Sequence, residues 1–370
     1  MDFTIINKIG KTIIVIAIAS LSFTQTVTAQ ADTRFVNEFL NIGVGARAHG
    51  MAGSVTATVD HITAAYWNPA GLAKVESPAQ ISAMHASWFG GIANYDYLAD
   101  GKRFNSDNNS FGTATLIRMG IDNIPNTLNL IGPDGTVNFS NVTEFSAADY
   151  AFFLSYGQDL KNTGISIGGS AKVIYRAIGS FGSAFGFGFD LGANYTKGNF
   201  HLGLMLRDIS TTWNFWSFTL TADEQQAFQR TGNDIPSSSN EVALPKIVLA
   251  AAYKIDNGSA MTYLIESDIR VSSDGTKSGV FSGENLGIDP TFGLEATYND
   301  LVSIRAGIGN FQNIINETTE SSFEFQPNVG VGINFGRVSI DYALTNIASV
   351  SGALASHIFS AKIDLHGDRL

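Results

Sequence analysis

The feature that most constrains this chain is a period-two alternation of apolar and polar side chains, which recurs in many segments from Gln80 onward. In the segment from Gly164 to Arg176, apolar or aromatic residues lie at most alternate positions, with Gly, Ser, Lys and Arg between them. Successive side chains of a strand point to opposite faces, so each segment would have one apolar and one polar face. Beyond the N-terminus, no apolar run reaches the roughly 20 residues of a membrane-spanning helix. Because a closed barrel is the other structure that can cross a bilayer, the pattern predicts a transmembrane β-barrel.

Fourteen runs show the alternation, and an even number returns both ends of a barrel to the same side of the membrane. We therefore predict an all-β fold, a 14-stranded antiparallel outer-membrane barrel over residues 78–365. Short and long connections alternate as periplasmic turns and external loops should, except around Gly90-Gly91 and from Ala99 to Asn109. A soluble β-sandwich also alternates, but its exposed face should be charged, whereas one face here is nearly all apolar. The predicted runs are 79–89, 92–98, 110–121, 147–157, 164–177, 185–196, 199–207, 243–254, 260–271, 288–298, 301–310, 324–334, 337–343 and 356–365.

The composition excludes several classes of function. Only 15% of the residues are charged, the net charge is −11, and there is no cysteine. An acidic chain lacks the basic surface that supplies most nucleic-acid affinity, so no nucleic-acid partner is predicted. The absence of cysteine excludes disulfides and thiolate metal sites. Neither the histidines nor the acidic residues have the spacing of a metal site, and we predict no metal and no cofactor.

Residues 1–29 have the pattern of a secretory signal peptide. Lys8 and Lys11 precede an apolar run from Ile13 to Phe23, and small residues end the segment. Together with the barrel pattern, this signal predicts export to the outer membrane of a Gram-negative bacterium, where lipid and lipopolysaccharide would surround the wall. Residues 366–370 are predicted to form a short periplasmic tail.

A glycine-rich stretch that begins at Gly43 lies between the signal and the first strand. Its glycines and small residues allow tight conformations and close approach to other parts of the chain. The pattern from Val59 to Tyr66 suits a short helix with Asp60 near its N-terminus, where a carboxylate is favourable. Proline disfavours helical geometry in the residue before it, so Trp67 to Gly71 should form a turn with an aromatic anchor.

The connection from residue 209 to residue 242 is the most informative predicted external loop. It carries four aromatic residues within six positions, followed by a predicted helix from Ala222 to Arg230. Aromatic rings are costly to leave in water and are common anchors at protein interfaces. An aromatic girdle at the lipid headgroups is the alternative, but a cluster this dense favours a docking or lid element. The four residues are Trp213, Phe215, Trp216 and Phe218.

One pattern suggests an enzyme: Gly164-Ile165-Ser166-Ile167-Gly168 matches the G-x-S-x-G nucleophile elbow. That motif needs a sharp strand-to-helix turn after the serine, whereas the alternation here continues to Arg176. Ser166 is therefore predicted to be an inward-facing strand residue, and the chain is predicted not to be an enzyme. The inward charges are predicted to form networks inside the lumen.

Two groups of motifs resemble the PorV/PorQ family: D-H-I-T-A-A-Y-W-N-P-A-G-L from residue 60, and T-T-W-N-x-W-S-F, T-G-N-D-I-P and E-V-x-L-P between residues 211 and 245. The resemblance implies a barrel similar to FadL-type outer-membrane proteins, with residues 30–77 packed in the lumen as a plug and the Asn-Pro-Ala turn wedged against the wall. It also implies work in type IX protein secretion, in which the protein associates with a large translocon barrel and receives secreted cargo bearing a C-terminal signal domain. The aromatic loop would be the docking surface. The plug residues singled out by the resemblance are Asp60, Trp67, Asn68, Pro69, Ala70 and Gly71.

The alternative function is transport of hydrophobic small molecules, as in FadL-type barrels. An apolar pocket in the lumen would favour this alternative. The alternation instead places mostly Gly, Ser, Asn and charged residues on the predicted inward face, which counts against a hydrophobic substrate.

Overall fold

A computed structural model describes residues 36–107, 109–132, 134–256, 258–273, 281–282, 286–315, 321–347 and 355–365. The predicted signal peptide and the predicted tail lie outside these residues. Within the described part of the chain, no helix has the length and apolar character needed to cross a membrane.

The described strands form one antiparallel sheet that closes on itself, because β1 pairs with β2 on one side and with β17 on the other. Most of the remaining neighbour pairs join consecutive strands, so the wall is built largely from hairpins; the exceptions are β6 with β8, β7 with β10 and β11 with β13. The strands are β1 (Ala79–Trp88), β2 (Ala93–Asn105), β3 (Ser110–Asn126), β4 (Thr143–Leu160), β5 (Ile165–Ile178), β6 (Gly182–Lys197), β7 (Phe200–Arg207), β8 (Thr212–Phe218), β9 (Asn240–Ala243), β10 (Lys246–Asp256), β11 (Met261–Ser272), β12 (Phe281–Ser282), β13 (Gly287–Tyr298), β14 (Val302–Ile315), β15 (Ser321–Phe335), β16 (Val338–Thr345) and β17 (Ser356–Leu365).

Two positions in the wall are each filled by two consecutive strands. β7 pairs with the second half of β6, and β8 pairs with its first half. On the neighbouring position, β10 pairs with β7 and β9 pairs with β8. The interruptions lie side by side at residues 208–211 and 244–245. With these pairs counted once, and with the two-residue β12 set aside, the described residues form a closed barrel of 14 strand positions.

The predicted 14-stranded antiparallel barrel is thus confirmed. Two strand positions extend well beyond the predicted runs: β8 lies within the predicted loop 209–242, and β2 continues to Asn105 instead of ending at residue 98. The extension of β2 leaves only residues 106–109 as the following turn, so this inner connection is short, as the rule requires. The outer connection at residues 89–92 remains short and is still an exception. The extra part of β2 carries Asp100 and Lys102 on its exposed face, and these charges hid the strand from a search for apolar alternation.

The outward face of the wall is largely apolar, as a lipid-facing barrel requires. On β6, Phe185, Phe187 and Phe189 are 60%, 50% and 49% exposed, whereas the glycines between them are buried. The inward face is covered by residues 36–77, which contact inward-facing side chains all around the barrel. We call residues 36–77 the plug.

The plug is a compact string of short helices. Its Val44, Ile62 and Leu72 are fully buried, and they belong to an apolar cluster that includes residues of β1, β2 and β4. The structure differs from the predicted helix over 59–66, because the α-helix there begins only at Ala64. The helices of the described residues are α1 (Ala46–Gly50), α2 (Ala64–Trp67) and α3 (Ala222–Arg230), with 3₁₀ turns at Glu38–Asn41, Pro69–Lys74, Phe89–Gly91 and Phe139–Asn141.

Candidate functional site: the plugged lumen

Trp67 fastens the turn after α2 to the glycine-rich stretch. Its indole Nε1 donates a hydrogen bond of 2.8 Å to the carbonyl of Val44. Its ring covers Gly43, where a Cβ atom would lie 2.9 Å from the ring and where φ is +99°. The neighbouring Tyr66 packs edge-on against Trp67 and donates to the carbonyl of Leu40. The glycine-rich stretch and the turn therefore form one folded unit.

Asn68 and Pro69 lie against the barrel wall. The Asn68 side-chain nitrogen is 2.6 Å from the side chain of Asn194 on β6, and it donates to the carbonyl of Thr56 at 3.0 Å. The Asn68 Oδ1 accepts the backbone N–H of Ala70 at 3.1 Å, which begins the following 3₁₀ turn. Asn68 thus connects the wall, an earlier part of the plug and its own turn.

The wall strands beneath this turn present glycines. A Cβ atom at Gly168 on β5 would lie 2.3 Å from the carbonyl carbon of Pro69, and one at Gly157 on β4 would lie 2.3 Å from its oxygen. A Cβ atom at Gly192 on β6 would lie 2.0 Å from the Asn68 Oδ1. Heavy atoms do not approach this closely, so the turn can seat only against strands without side chains at these points. The wedge implied by the family resemblance thus has a physical basis in three wall glycines.

A second close contact lies across the barrel. A Cβ atom at Gly307 on β14 would lie 2.3 Å from the carbonyl carbon of Met51, which follows α1, and one at Gly293 on β13 would lie 2.9 Å from the Met51 carbonyl oxygen. Because both contacts use the backbone of the plug, the plug is held between two sets of wall glycines on different strands.

A network of four charged groups joins α1 to the wall. Arg47 makes two hydrogen bonds to Glu295 on β13, at 2.9 and 3.0 Å. Arg305 on β14 contacts the same carboxylate at 2.5 Å and Asp341 on β16 at 2.6 Å. The two guanidinium groups and the two carboxylates balance in charge. The bidentate contact of Arg47 with Glu295 fixes the orientation of the two side chains as well as their distance. The predicted luminal network is therefore partly a bond between the plug and the wall.

Two further carboxylates hold the plug through its backbone. Glu266 on β11 accepts the N–H of Ala57 at 2.7 Å and also the hydroxyl of Thr58. Asp268, two residues later on the same face, accepts the N–H of Thr56 at 3.2 Å. These amides belong to a segment without regular helix, so the wall supplies acceptors that the segment cannot supply itself.

His49 is a buried titratable group inside the plug. Its Nε2 lies 3.2 Å from the carbonyl of Gly43, so the neutral ring can donate there. Burial lowers the pKa of His49 to about 4. His49 is therefore uncharged at neutral pH and adds no charge to the network around Arg47.

Asp60 does not cap a helix, contrary to the prediction. The helix starts at Ala64, its N-cap residue is Thr63, and no side chain caps it. Asp60 is exposed instead and lines a cavity of about 470 Å³ between the plug and the barrel end that carries the short turns. Mixed charges line this cavity, among them His61, His201, Lys254, Asp300 and Lys362.

The opposite part of the lumen is apolar, which the sequence did not reveal. Tyr95 and Tyr97 of β2 point inward and are 0% and 2% exposed, and Ile117 of β3 and Phe153 of β4 continue the same surface. These residues pack with Phe39 and Leu40 of the plug in one apolar cluster. On β2 the aromatic residues face the lumen and the charged residues face outward, the opposite of the arrangement on strands such as β6. The prediction of a mainly small and polar lumen is therefore wrong for the part lined by β2, β3 and β4.

The four aromatic residues of the predicted docking loop lie on strand β8 and divide between two faces. Trp213 and Phe215 are in register with the outward Phe187 and Phe185. Trp216 faces the lumen, where it is 7% exposed and stacks on Phe218 at 5.7 Å between ring centroids. The connecting loop is accordingly shorter than residues 209–242, although α3 occupies the predicted residues. The sequence spacing could have shown this division, because odd-numbered and even-numbered residues of one strand point to opposite faces.

Ser166 occupies the interior of β5, as predicted for a strand residue. It is buried, and its hydroxyl donates to Asp159 on β4 at 2.8 Å. The strand continues to Ile178 without the turn that a nucleophile elbow needs.

Comparison with solved structures identifies the fold. The toluene transporter TodX of Pseudomonas putida superposes with a TM-score of 0.56 at 12% identity, covering 88% of this chain and 99% of TodX. The toluene transporter TbuX of Ralstonia pickettii gives 0.53 at 13% identity, covering 88% and 99%. A FadL homologue of Pseudomonas aeruginosa gives 0.51 at 13% identity, covering 87% and 98%. No protein-family model matches the sequence, and a search of curated proteins finds no significant match. The chain therefore has the fold of FadL-like outer-membrane barrels.

Proposed function

We propose that this protein is a non-enzymatic outer-membrane channel for small hydrophobic molecules. The observation that carries the proposal is the apolar part of the lumen, where Tyr95 and Tyr97 of β2, Ile117 of β3 and Phe153 of β4 pack in one apolar cluster with the plug. Binding sites for hydrophobic ligands are enclosed, mostly apolar and equipped with a few polar groups for orientation. The Tyr95 hydroxyl is such a group, because it is buried without a hydrogen-bond partner among the described residues.

The plug contacts indicate where the route would lie. Ion pairs and buried carboxylates hold the plug to β11, β13 and β14, whereas its contacts with Tyr95, Tyr97 and Phe153 are apolar. Apolar contacts are not directional, so they can be exchanged for contacts with a hydrophobic ligand. A molecule would therefore pass between the plug and the part of the wall that carries Tyr95, Tyr97 and Phe153, away from the polar contacts of the plug with β2 and β4 at Arg103 and Asp159.

Uptake of toluene into a bacterial strain without hydrophobic-compound channels tests the proposal. The full chain should raise the initial uptake rate at least five-fold over an empty vector. Ile117→Gln should remove most of this increase, because it places an amide on the apolar route, while Leu116→Gln, on the outward neighbour, should keep it. Equal expression of folded barrel is checked by heat-dependent gel migration. Uptake no faster than the empty vector, for toluene and for a long-chain fatty acid alike, would refute the channel function.

The second candidate is a component of type IX secretion that docks a translocon barrel or binds cargo. It is supported by Trp213 and Phe215, which project outward at the base of the hairpin that carries α3. Exposed aromatic residues beside a capped helix suit a protein contact better than an isolated girdle residue does.

Affinity purification of the tagged chain from detergent-solubilised outer membranes tests this candidate. A large barrel and secreted cargo should copurify with wild type and be reduced at least five-fold by Trp213→Ala/Phe215→Ala. The matched control is Trp216→Ala/Phe218→Ala, which removes the two inward rings and should keep the partners. Recovery of the chain without either protein in the wild-type sample would argue against secretion.

A further inference from the structure

The outward face of β1, β2 and β3 carries charges where the neighbouring strands carry lipid-facing side chains. His85, Asp96 and Arg118 lie side by side in register on the three strands. Asp96 is 2.7 Å from the His85 ring and 3.4 Å from the Arg118 guanidinium, and the three side chains are 57%, 42% and 35% exposed. Asp100 and Lys102 follow on the same face of β2. We call His85, Asp96, Asp100, Lys102 and Arg118 the outward polar strip.

The register places this strip at the level of the apolar wall. Asp100 pairs with Ile81 on one side and with Ala114 on the other. The next residues in the same row are Ile363 on β17 and Leu154 on β4, which are 41% and 57% exposed. Charges on a lipid-facing wall are destabilising, most strongly at mid-depth. Along this row the outward side chains change from isoleucine to aspartate and then to leucine. The aspartate is explained if protein, and not lipid, covers the centre of the row.

The strip is interrupted by two outward leucines, Leu98 on β2 and Leu116 on β3, but several side chains around it are small. Ala83 on β1, Ala114 on β3 and Ala361 on β17 point outward in the rows that contain or adjoin the charges. Small residues let two backbones approach closely inside a membrane and are enriched at such interfaces. On β6, by contrast, the outward positions are Phe185, Phe187 and Phe189. The outward surface around the strip therefore carries fewer large side chains than the outward face of β6.

We propose that the outward polar strip is the contact surface for a second copy of this chain. A two-fold axis parallel to the barrel axis, passing between β2 and β3, would place Asp96 of each copy opposite Arg118 of the other. Asp96 and Arg118 have opposite charges and lie in register on adjacent strands, so this pair is complementary to itself under the rotation. Two-fold homodimers are the commonest oligomers. The proposal does not depend on what the barrel transports or binds.

Site-directed cross-linking tests the proposal, and the chain suits it because it contains no cysteine. Leu98→Cys lies on β2 near the proposed axis, and Leu294→Cys lies on β13; the native side chains are 53% and 52% exposed. A short bismaleimide added to outer membranes should give a cross-linked dimer with Leu98→Cys at least ten times more abundant than with Leu294→Cys. The purified protein in mild detergent should show the same difference.

Charge exchange then tests the pairing. In the Leu98→Cys chain, Asp96→Arg should reduce the dimer at least ten-fold, and adding Arg118→Asp should return it to within two-fold of the starting level. Heat-dependent gel migration confirms that each variant is folded. Equal cross-linking at the two cysteine positions would overturn the proposal. So would a Leu98→Cys adduct with a different protein, or a folded double variant that fails to recover the dimer.

Discussion

Gly168→Val should unseat the plug and turn a closed barrel into one that conducts ions. Even the first added carbon would lie 2.3 Å from the carbonyl carbon of Pro69, with β5 on one side and the plug turn on the other. Neither backbone can rotate away as a flexible side chain could, so the cost should reach or exceed the upper end of about 1–3 kcal/mol for overpacking. Conductance of the purified protein in planar lipid bilayers should rise at least ten-fold per inserted barrel.

Gly169→Val is the matched control. This residue is adjacent on the same strand, but it faces outward. An added Cβ atom there would meet the movable end of the Leu191 side chain at 3.3 Å and the Asp190 carbonyl oxygen at 3.5 Å, an ordinary contact distance. Both substitutions introduce the same β-branched residue, so a difference between them reports the plug contact and not strand propensity. A Gly168→Val barrel that remains closed and keeps its plug protected from proteolysis would contradict the wedge.

Glu295→Gln should loosen the other side of the plug. The substitution removes the carboxylate that Arg47 and Arg305 share, and breaking a largely buried ion pair from one side costs about 3–5 kcal/mol. Hydrogen exchange of the backbone amides around α1 measures the change. If opening of this segment limits exchange, a loss of about 3 kcal/mol corresponds to roughly 100-fold faster exchange.

Lys74→Ala is the control variant for Glu295→Gln. Lys74 also joins the plug to the wall, through Asp159 at 3.3 Å, but the two side chains are 34% and 22% exposed. Partly exposed pairs contribute about 1 kcal/mol or less, so exchange around α1 should change little. Equal acceleration by both variants would show that the Arg47 network has no special role in seating the plug.

The barrel could be predicted from the sequence because its wall repeats one rule. A lipid-facing residue must alternate with an inward one, so strands such as β5 and β6 show their faces without any structural information. The rule failed at β2, where Asp96 and Asp100 face outward while Tyr95 and Tyr97 face inward. Alternation gives the period of a strand but not which face is inside, and β2 follows the period with its faces exchanged.

The candidate site was predictable only in part. The turn from Trp67 to Gly71 was recognisable because proline and asparagine dictate its geometry locally. The partners of the plug were not, since Arg47 and Glu295 are 248 positions apart and sequence spacing contains no information about their contact. The only indication in the sequence was Arg47 itself, an arginine within a glycine-rich, apolar stretch, because a buried arginine needs an acidic partner.

The wall glycines have a consequence for how this architecture can diverge. At Gly168 and Gly307 the wall meets the main chain of the plug and not its side chains, so the barrel selects the course that the plug follows and tolerates many identities along it. The plug residues at these two contacts can then vary as long as the backbone keeps its path, while the wall positions opposite them must remain glycine. Barrels that share about an eighth of their residues can thus preserve one architecture, and a plug grafted from one onto another should fit whenever its path is the same.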